Sequence, residues 1–278
     1  MTTYQRERVA LGERLRHLRQ DARLTGRALA AACDWPPSKV SKLEAGRQTP
    51  SDTDLEAWAT ACGVANQTSN LVGALRSLES HYQDYRRLFR SGLATNQRKI
   101  AERDSQATFI REFHSVFVSG LLQTPAYARR RIAAATAHAE APAHDLDETV
   151  AARMQRQQLL YQPGKKIHLV MTEAVMRYRL CDVDAMHEQL DRLTAATALK
   201  HVLFGVIPFE RTYFAPPVHD FRILDRELVQ VETVTADLRL SDEFEVTAYL
   251  RLFAELADLA VYGEQARAVI ARSSAALA

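Results

Sequence analysis

Eleven residues, Ser41 to Ser51, read S-K-L-E-A-G-R-Q-T-P-S and restrict the fold more than any other stretch of the chain. Val40 and Leu43 mark one apolar face of a short helix. Gly46 falls just past the last apolar position, where a helix ends in the left-handed conformation that glycine adopts without penalty. Pro50 blocks continuation. Ser51-Asp52-Thr53-Asp54 then offers a hydroxyl N-cap with an acid three residues on, a capping-box variant, ahead of Leu55. Alone, this would be an ordinary helix–loop–helix.

The flanking residues narrow the reading. Leu11, Leu15, Leu18 and Ala22 repeat at helical spacing and predict an amphipathic helix of about three turns. Thr25 can cap a second helix that turns Leu29 and Ala30 inward and ends near Cys33-Asp34, with Asp34 at a tight turn. A third helix spans Pro37–Ala45, its proline at the first position, where a missing N–H costs nothing. Leu55, Trp58, Ala59 and Cys62 make a fourth, stopped by Gly63. Five short helices joined by tight turns are too small to enclose a site. They suit an all-α helix-turn-helix unit that lays its third helix in a DNA major groove.

Residues 11–65 resemble the phage-repressor-like (XRE-type) helix-turn-helix domain. Its pattern of a Ser three residues before a Glu, then x-Gly and a Pro four residues later, is met by Ser41, Glu44, Gly46 and Pro50. The resemblance implies a pair between that glutamate, Glu44, and a first-helix arginine, here Arg19. Two positions depart from the family. Pro36 and Pro37 stand where small polar or amide side chains usually open the recognition helix, which removes a bidentate Gln–adenine contact. Gly26 replaces a glutamine that commonly touches phosphate.

The reading surface follows from spacing. Ser38, Ser41 and Lys42 lie three and four apart, opposite Val40 and Leu43, and are expected to face base edges. Lys42, able to donate to guanine O6 and N7, is the expected main determinant of preference, and Pro37 offers apolar contact, for instance to a thymine methyl. Thr25, Arg27, Lys39, Arg47 and Gln48 are expected at phosphates. A single head of this kind offers few cations, so a homodimer reading two half-sites about 34 Å apart is expected.

At 278 residues the chain can hold two domains, and 47% apolar with 25% charged residues excludes a disordered chain. The reading is α+β overall: a helix-turn-helix domain over 1–70, a helical connector over 71–105 and an α+β regulatory or interaction domain over 106–278, with a small sheet flanked by helices. A net charge of +2 argues against a protein that coats nucleic acid but not against a specific binder with a local basic face. No apolar run reaches membrane-spanning length, and the first residues lack a signal-peptide core. Cys33, Cys62 and Cys181 are odd in number and widely spaced, as buried thiols of a reducing cytoplasm would be. No zinc spacing, phosphate loop, dinucleotide fingerprint or nucleophile elbow occurs, so no enzyme, metal or cofactor is expected.

In the connector, Leu71, Leu75, Leu78, Tyr82, Tyr85 and Phe89 repeat at near-helical spacing, as a packed core helix or a dimer contact. The basic run from Arg86 to Arg103 reads as a solvated helix face rather than a second DNA contact. Beyond it, strands are expected at 108–118, 167–171, 202–207, 221–224 and 229–234. Helices are expected from Thr124-Pro125 and over 146–161, 186–198, 244–262 and 264–277, and Ala133–Asp145 reads as a solvent loop. The succession G-L-L-Q-T-P-x-Y-A-R from Gly120, A-R-M-x-R-Q from Ala152, T-E-A from Thr172 and V-I-P-F from Val206 resembles the domain that follows the helix-turn-helix in WhiJ-like regulators of mycelial bacteria. Ser119 departs from the proline favoured there. The resemblance implies a transcriptional regulator, often antitoxin-like, with a small partner protein encoded nearby. Arg153, Arg156, Gln157 and Glu173, with Arg211, Tyr213 and Phe214 of the loop Pro208–His219, are the candidate ligand or interface residues. An effector, through an aromatic mouth formed by that loop, and a protein partner both stay open.

Overall fold

Helix α3 (Pro37–Glu44) stops where it does because Gly46 takes φ = +61°, a conformation that costs an L-residue about 1 kcal/mol or more. Pro50 then keeps the chain extended into α4 (Asp52–Ala61), whose start is closed by a reciprocal capping box: the Asp54 amide donates to Ser51 Oγ and the Ser51 amide to the Asp54 carboxylate, both at 3.1 Å. Ahead of these come α1 (Thr3–Asp21), longer than its apolar repeat suggested, and α2 (Gly26–Ala32), capped by the Thr25 hydroxyl, which accepts from the Ala28 amide at 3.1 Å. Asp34, at φ = +56°, makes the tight turn into α3. Helix α5 (Thr68–His81) follows α4 and a short 3₁₀ turn.

The computed structural model describes residues 3–84, 92–138, 145–213, 216, 219–233 and 236–277. The chain divides into two compact units, Met1–Gln83 and Asp84–Ala278. In the first, Leu15, Leu29, Leu43, Leu55 and Trp58 form the core, and the Trp58 indole donates to the Leu15 carbonyl at 3.1 Å, tying α4 to α1. Leu71, Leu75 and Leu78 are fully buried in this same core. The stretch 71–81, expected as connector, is therefore the fifth helix of the head. Tyr85, Phe89, Arg86, Arg87 and Arg90 lie outside the described residues.

The second unit opens with α6 (Leu93–Gln106) and is built on a mixed sheet. Its strands are β1 (Phe109–His114), β2 (Lys166–Thr172), β3 (Val202–Ile207), β4 (Phe221–Leu224), β5 (Leu228–Glu232), β6 (Ala236–Leu240) and β7 (Val261–Tyr262), in the order β6-β5-β4-β1-β2-β3-β7. β1, β2 and β3 are parallel, Ile110 facing Ile167 and Val170 facing Gly205; the outer pairings are antiparallel. Strand period 2 sorts the side chains. Ile167, Leu169 and Met171 face one apolar layer with α10 (Val183–Ala196) and α12 (Gly263–Ala275), while Val170 faces a second with α11 (Glu243–Leu259). This is the expected sheet flanked by helices. Between β1 and β2 run α7 (Pro125–His138) and α8 (Leu146–Arg156), and α9 (Ala174–Arg177) follows β2. α7 continues to His138, so the part of the expected loop from Ala133 is helical; good helix formers outweigh the small-residue composition there. Strand β6 was not foreseen, being short and weakly apolar; Val261–Tyr262, expected as the end of the helix 244–262, instead leave it after Leu259 and pair with β3 as β7. Among the described residues, no helix is long and apolar enough to cross a membrane.

One contact sets how α3 sits on α1. A Cβ at Gly12 would lie 2.6 Å from the Glu44 carbonyl oxygen and 2.7 Å from that of Leu43, so the end of α3 rests on bare backbone of α1. Gly12→Ala should force the two helices apart and destabilise the head by about 1–3 kcal/mol. Both tryptophans of the chain, Trp35 and Trp58, belong to the head. Tryptophan fluorescence during urea unfolding therefore reads the head alone, and an unchanged midpoint would contradict this packing.

Candidate functional site

The outer face of α3 carries Pro37, Ser38, Ser41 and Lys42, all exposed, while Val40 and Leu43 are buried on the opposite side. Pro36 is the N-cap residue and has no side-chain acceptor to offer; Pro37 occupies the first turn. A shallow groove runs between this face and the start of α2, lined by Thr25, Gly26 and Arg27 together with Pro37, Ser41 and Ala45. Arg27 and Arg47 are exposed, and Gln48 is half-buried. The Arg47 and Gln48 amides both donate to the Lys42 carbonyl, at 2.8 and 3.2 Å, which holds the exit loop against the end of α3. The Thr25 hydroxyl already serves as the cap of α2, leaving Thr25 an exposed position at a helix start with free backbone donors nearby.

Lys39 departs from the expected phosphate set. Its ammonium bonds Asp54 Oδ1 at 2.6 Å and lies 4.1 Å over the Trp35 ring. Burial alone would raise Asp54, but the ammonium and the Ser51 amide outweigh it and hold the carboxyl below its usual range. Lys39 thus ties α3 to α4. Glu44 does the same toward α1: Arg19 Nε donates to Glu44 Oε1 at 2.5 Å, and Arg19 Nη2 to Oε2 at 3.0 Å, a fork with both groups mostly buried. Arg19 Nη1 also donates to the Leu24 carbonyl at 2.8 Å. Arg16, which the sequence reading passed over, contacts Glu44 at 3.3 Å and lines the groove with its side chain 45% exposed. Its signal was available: it precedes Arg19 by one helical turn.

The second unit has its own buried charges. Asp104 of α6 is fully buried and accepts from Arg156 Nε of α8 at 2.7 Å and from Arg222 Nη2 of β4 at 2.6 Å. Glu112 of β1 lies beside Arg222 at 3.3 Å and Arg156 at 3.8 Å, and accepts from the Ser119 hydroxyl. His114 bridges Glu112, at 3.1 Å, and Asp220, at 3.3 Å. Burial would raise Glu112, but Arg222 and the histidine hold it well below the carboxylate range. Burial would also lower His114; the two carboxylates reverse that and push it up to about 9. The serine at 119 is thus explained: a proline could not donate to Glu112.

Two family profiles match the chain. Residues 10–69 match a helix-turn-helix domain, which makes the groove and the exposed face of α3 parts of a DNA-binding domain. Residues 97–272, more than half of the chain, match the family described as a domain of unknown function, DUF5753. The chain belongs to the DUF5753 family. No curated protein matches it.

Within the DUF5753 domain the six described candidate residues do not form one site. Arg156 and Gln157 are braces: Gln157 Nε2 donates to the Gly120 and Gln123 carbonyls, at 3.0 and 2.8 Å. Glu173, buried after β2, accepts from Arg177 at 3.0 Å and from the Phe209 amide at 3.3 Å, pinning the start of the following loop. Arg211 is exposed, Tyr213 packs against the α11 side of the sheet, and Phe214 lies outside the described residues. None of the described residues of 208–219 lines the cavity of this domain; Arg153 and Arg156 do. Asp104, Glu112, His114 and Arg222 were not anticipated, because their partners lie as far as 118 residues away.

Two outcomes test these networks. Glu44→Ala leaves the Arg19 guanidinium mostly buried without its acid and should cost the head about 3 kcal/mol or more, read by tryptophan fluorescence in urea. For His114, the folded value of about 9 exceeds the ordinary 6.5, so its contribution is complete below pH 6.5 and lost as pH rises through 9. The melting temperature of the second unit should fall across that window, and by less in His114→Asn, when both are followed by scanning calorimetry.

Proposed function

We propose that this protein is a sequence-specific transcriptional regulator of the XRE type that binds its operator as a homodimer. What carries the reading is the geometry of α3: apolar residues bury one side, and a proline, two serines and a lysine stand exposed on the other. Pro37, Ser38, Ser41 and Lys42 address base edges, Lys42 by donating to guanine. Thr25, Arg27, Arg47 and Gln48 address phosphates, joined by Arg16, whose exposed half borders the same groove. Lys39 leaves this set, because its ammonium is committed to Asp54. So small a cationic surface binds weakly alone, and two heads on half-sites one helical turn apart supply what one lacks. The DUF5753 domain then serves dimerisation and control, as in the WhiJ-like, antitoxin-like regulators it resembles, through a small partner protein or an effector in the cytoplasm. No catalytic step is assigned to it.

The test begins with selection of bound sites from a random duplex library by the full-length protein, followed by titrations on a selected site and on random DNA at several salt concentrations. Lys42→Ala should cost about 1–3 kcal/mol on the selected site and relax preference at one base pair. Arg47→Ala should weaken both DNAs alike and make the salt slope shallower by about one. Two chains should bind per site. Absence of any enriched sequence would defeat the reading, and equal losses on both DNAs for Lys42→Ala would move Lys42 among the phosphate contacts.

A further inference from the structure

The second unit holds a half-open cavity of about 210 Å³ bounded by α6, α7, α8, β1 and the β4–β6 side of the sheet. It exceeds the ~150 Å³ of an apolar cavity known to admit benzene, so a small organic molecule fits. Leu93, Ile100, Phe117, Ile132 and Phe221 give it apolar walls.

Its charges are matched with one exception. Each wall carboxylate has a cation: Glu112 has Arg222 and His114, Asp220 has His114, Glu232 has Arg131 at 3.1 Å, and Asp237 has Arg239 at 3.3 Å. Four of the five wall cations are used in turn: Arg131 by Glu232, Arg156 and Arg222 by Asp104, and His114 by its two acids. Arg153 is different. Its Nη1 donates to Gln123 Oε1 at 2.8 Å and its Nε to Gln97 Oε1 at 3.4 Å, both neutral amides. Among the described residues no carboxylate lies within ion-pair distance of it. Two of a guanidinium's five donors are thus occupied, and the group is left as a planar fork. Burial pushes it down to about 10, which leaves it charged at neutral pH. A second unmet group lines the same cavity, Gln230 Oε1, buried without a hydrogen-bond partner and able to take a hydroxyl or amino hydrogen.

We propose that this cavity binds a small organic acid, its carboxylate received by the Arg153 fork and its carbon skeleton by the apolar walls. A half-buried guanidinium at the cavity wall, hydrogen-bonded only to amides and with Glu232 felt from beyond ion-pair distance, has donors left for an anion, and an Arg–carboxylate pair is the strong, planar solution. A cationic ligand has no counterpart, since every wall acid already has its cation. This deepens the reading of the DUF5753 domain as a control domain, and its test uses no DNA, so failure of either is seen by itself.

The probes are benzoate, its neutral isostere benzamide, and sulfate, each titrated into the full-length protein at constant ionic strength. Saturation-transfer NMR and calorimetry give the readout. Benzoate should bind at least about tenfold more tightly than benzamide and sulfate, because the charge-assisted pair and the apolar contact are both needed. Arg153→Met should remove that preference and Arg153→Lys should weaken it. Ala135→Phe, which fills the cavity from α7 and leaves every charged group in place, should abolish benzoate binding with the melting temperature checked in parallel. The proposal is overturned if benzoate gives no signal at millimolar concentration, if acid and amide bind alike, if sulfate competes equally, or if a folded Ala135→Phe protein binds benzoate as the parent does.

Discussion

The carboxylate of Glu44 is the point on which the head depends. It sits at the last turn of α3 and receives the forked guanidinium of Arg19, with Arg16 beside it. Such a pair is not a large source of stability, because desolvation offsets most of the attraction. Its value is geometric: a bidentate fork has one good orientation, and it holds α3 at one rotation on α1. Gly12 brings the two backbones close enough for the fork to reach, and Lys39–Asp54 fixes α3 from the α4 side. With α3 clamped from both flanks, its exposed serines and Lys42 are presented by an element of fixed orientation.

The second unit uses the same device at larger scale. Asp104, Glu112, Arg156 and Arg222 come from α6, β1, α8 and β4, so one buried cluster ties two helices to two strands. His114 extends it to Asp220 and Ser119 closes it below. In a cluster of this kind removal of one member leaves another buried and unpaired, so the cluster acts as a unit. Arg153 stands at its margin, charged and turned to amides, and the cavity opens beside it. The wall that shapes that cavity and the cluster that supports the wall share residues. Occupancy of the cavity would therefore be felt by the helices that Asp104 and Arg156 hold together.

Much of the head was legible in the chain. Gly46, Pro50, Ser51 and Asp54 act through neighbours within a few residues, so their effect is written locally: a positive φ, a blocked helix and a capping box all appear where expected. The apolar spacing of Leu11, Leu15, Leu55 and Trp58 likewise reports a buried stripe whatever it packs on. The strand Val202–Ile207 was recognisable as a continuous apolar run, and all of it but Leu203 is buried. Alternation and length located the central strands, but β6 and β7 are set by the neighbours they pair with and carry no such mark.

What the residues could not say is where a polar side chain spends its charge. Lys39 has the composition of a phosphate contact, yet Asp54, fifteen residues on, and the Trp35 ring take it. Leu71, Leu75 and Leu78 announced a helix but not the core that would own it. Arg153 and Arg156 stand three apart on one helix and looked equivalent; only the fold gives Arg156 an acid 52 residues away and leaves Arg153 facing amides. Local sequence determines φ, caps and apolar periodicity, because those energies are decided within a turn or two. Ion pairing and cavity formation depend on which distant elements meet, so, apart from the Arg19–Glu44 pair that the family resemblance implied, the tertiary structure alone decided the partners of Lys39 and Arg156 and the charge left over at Arg153.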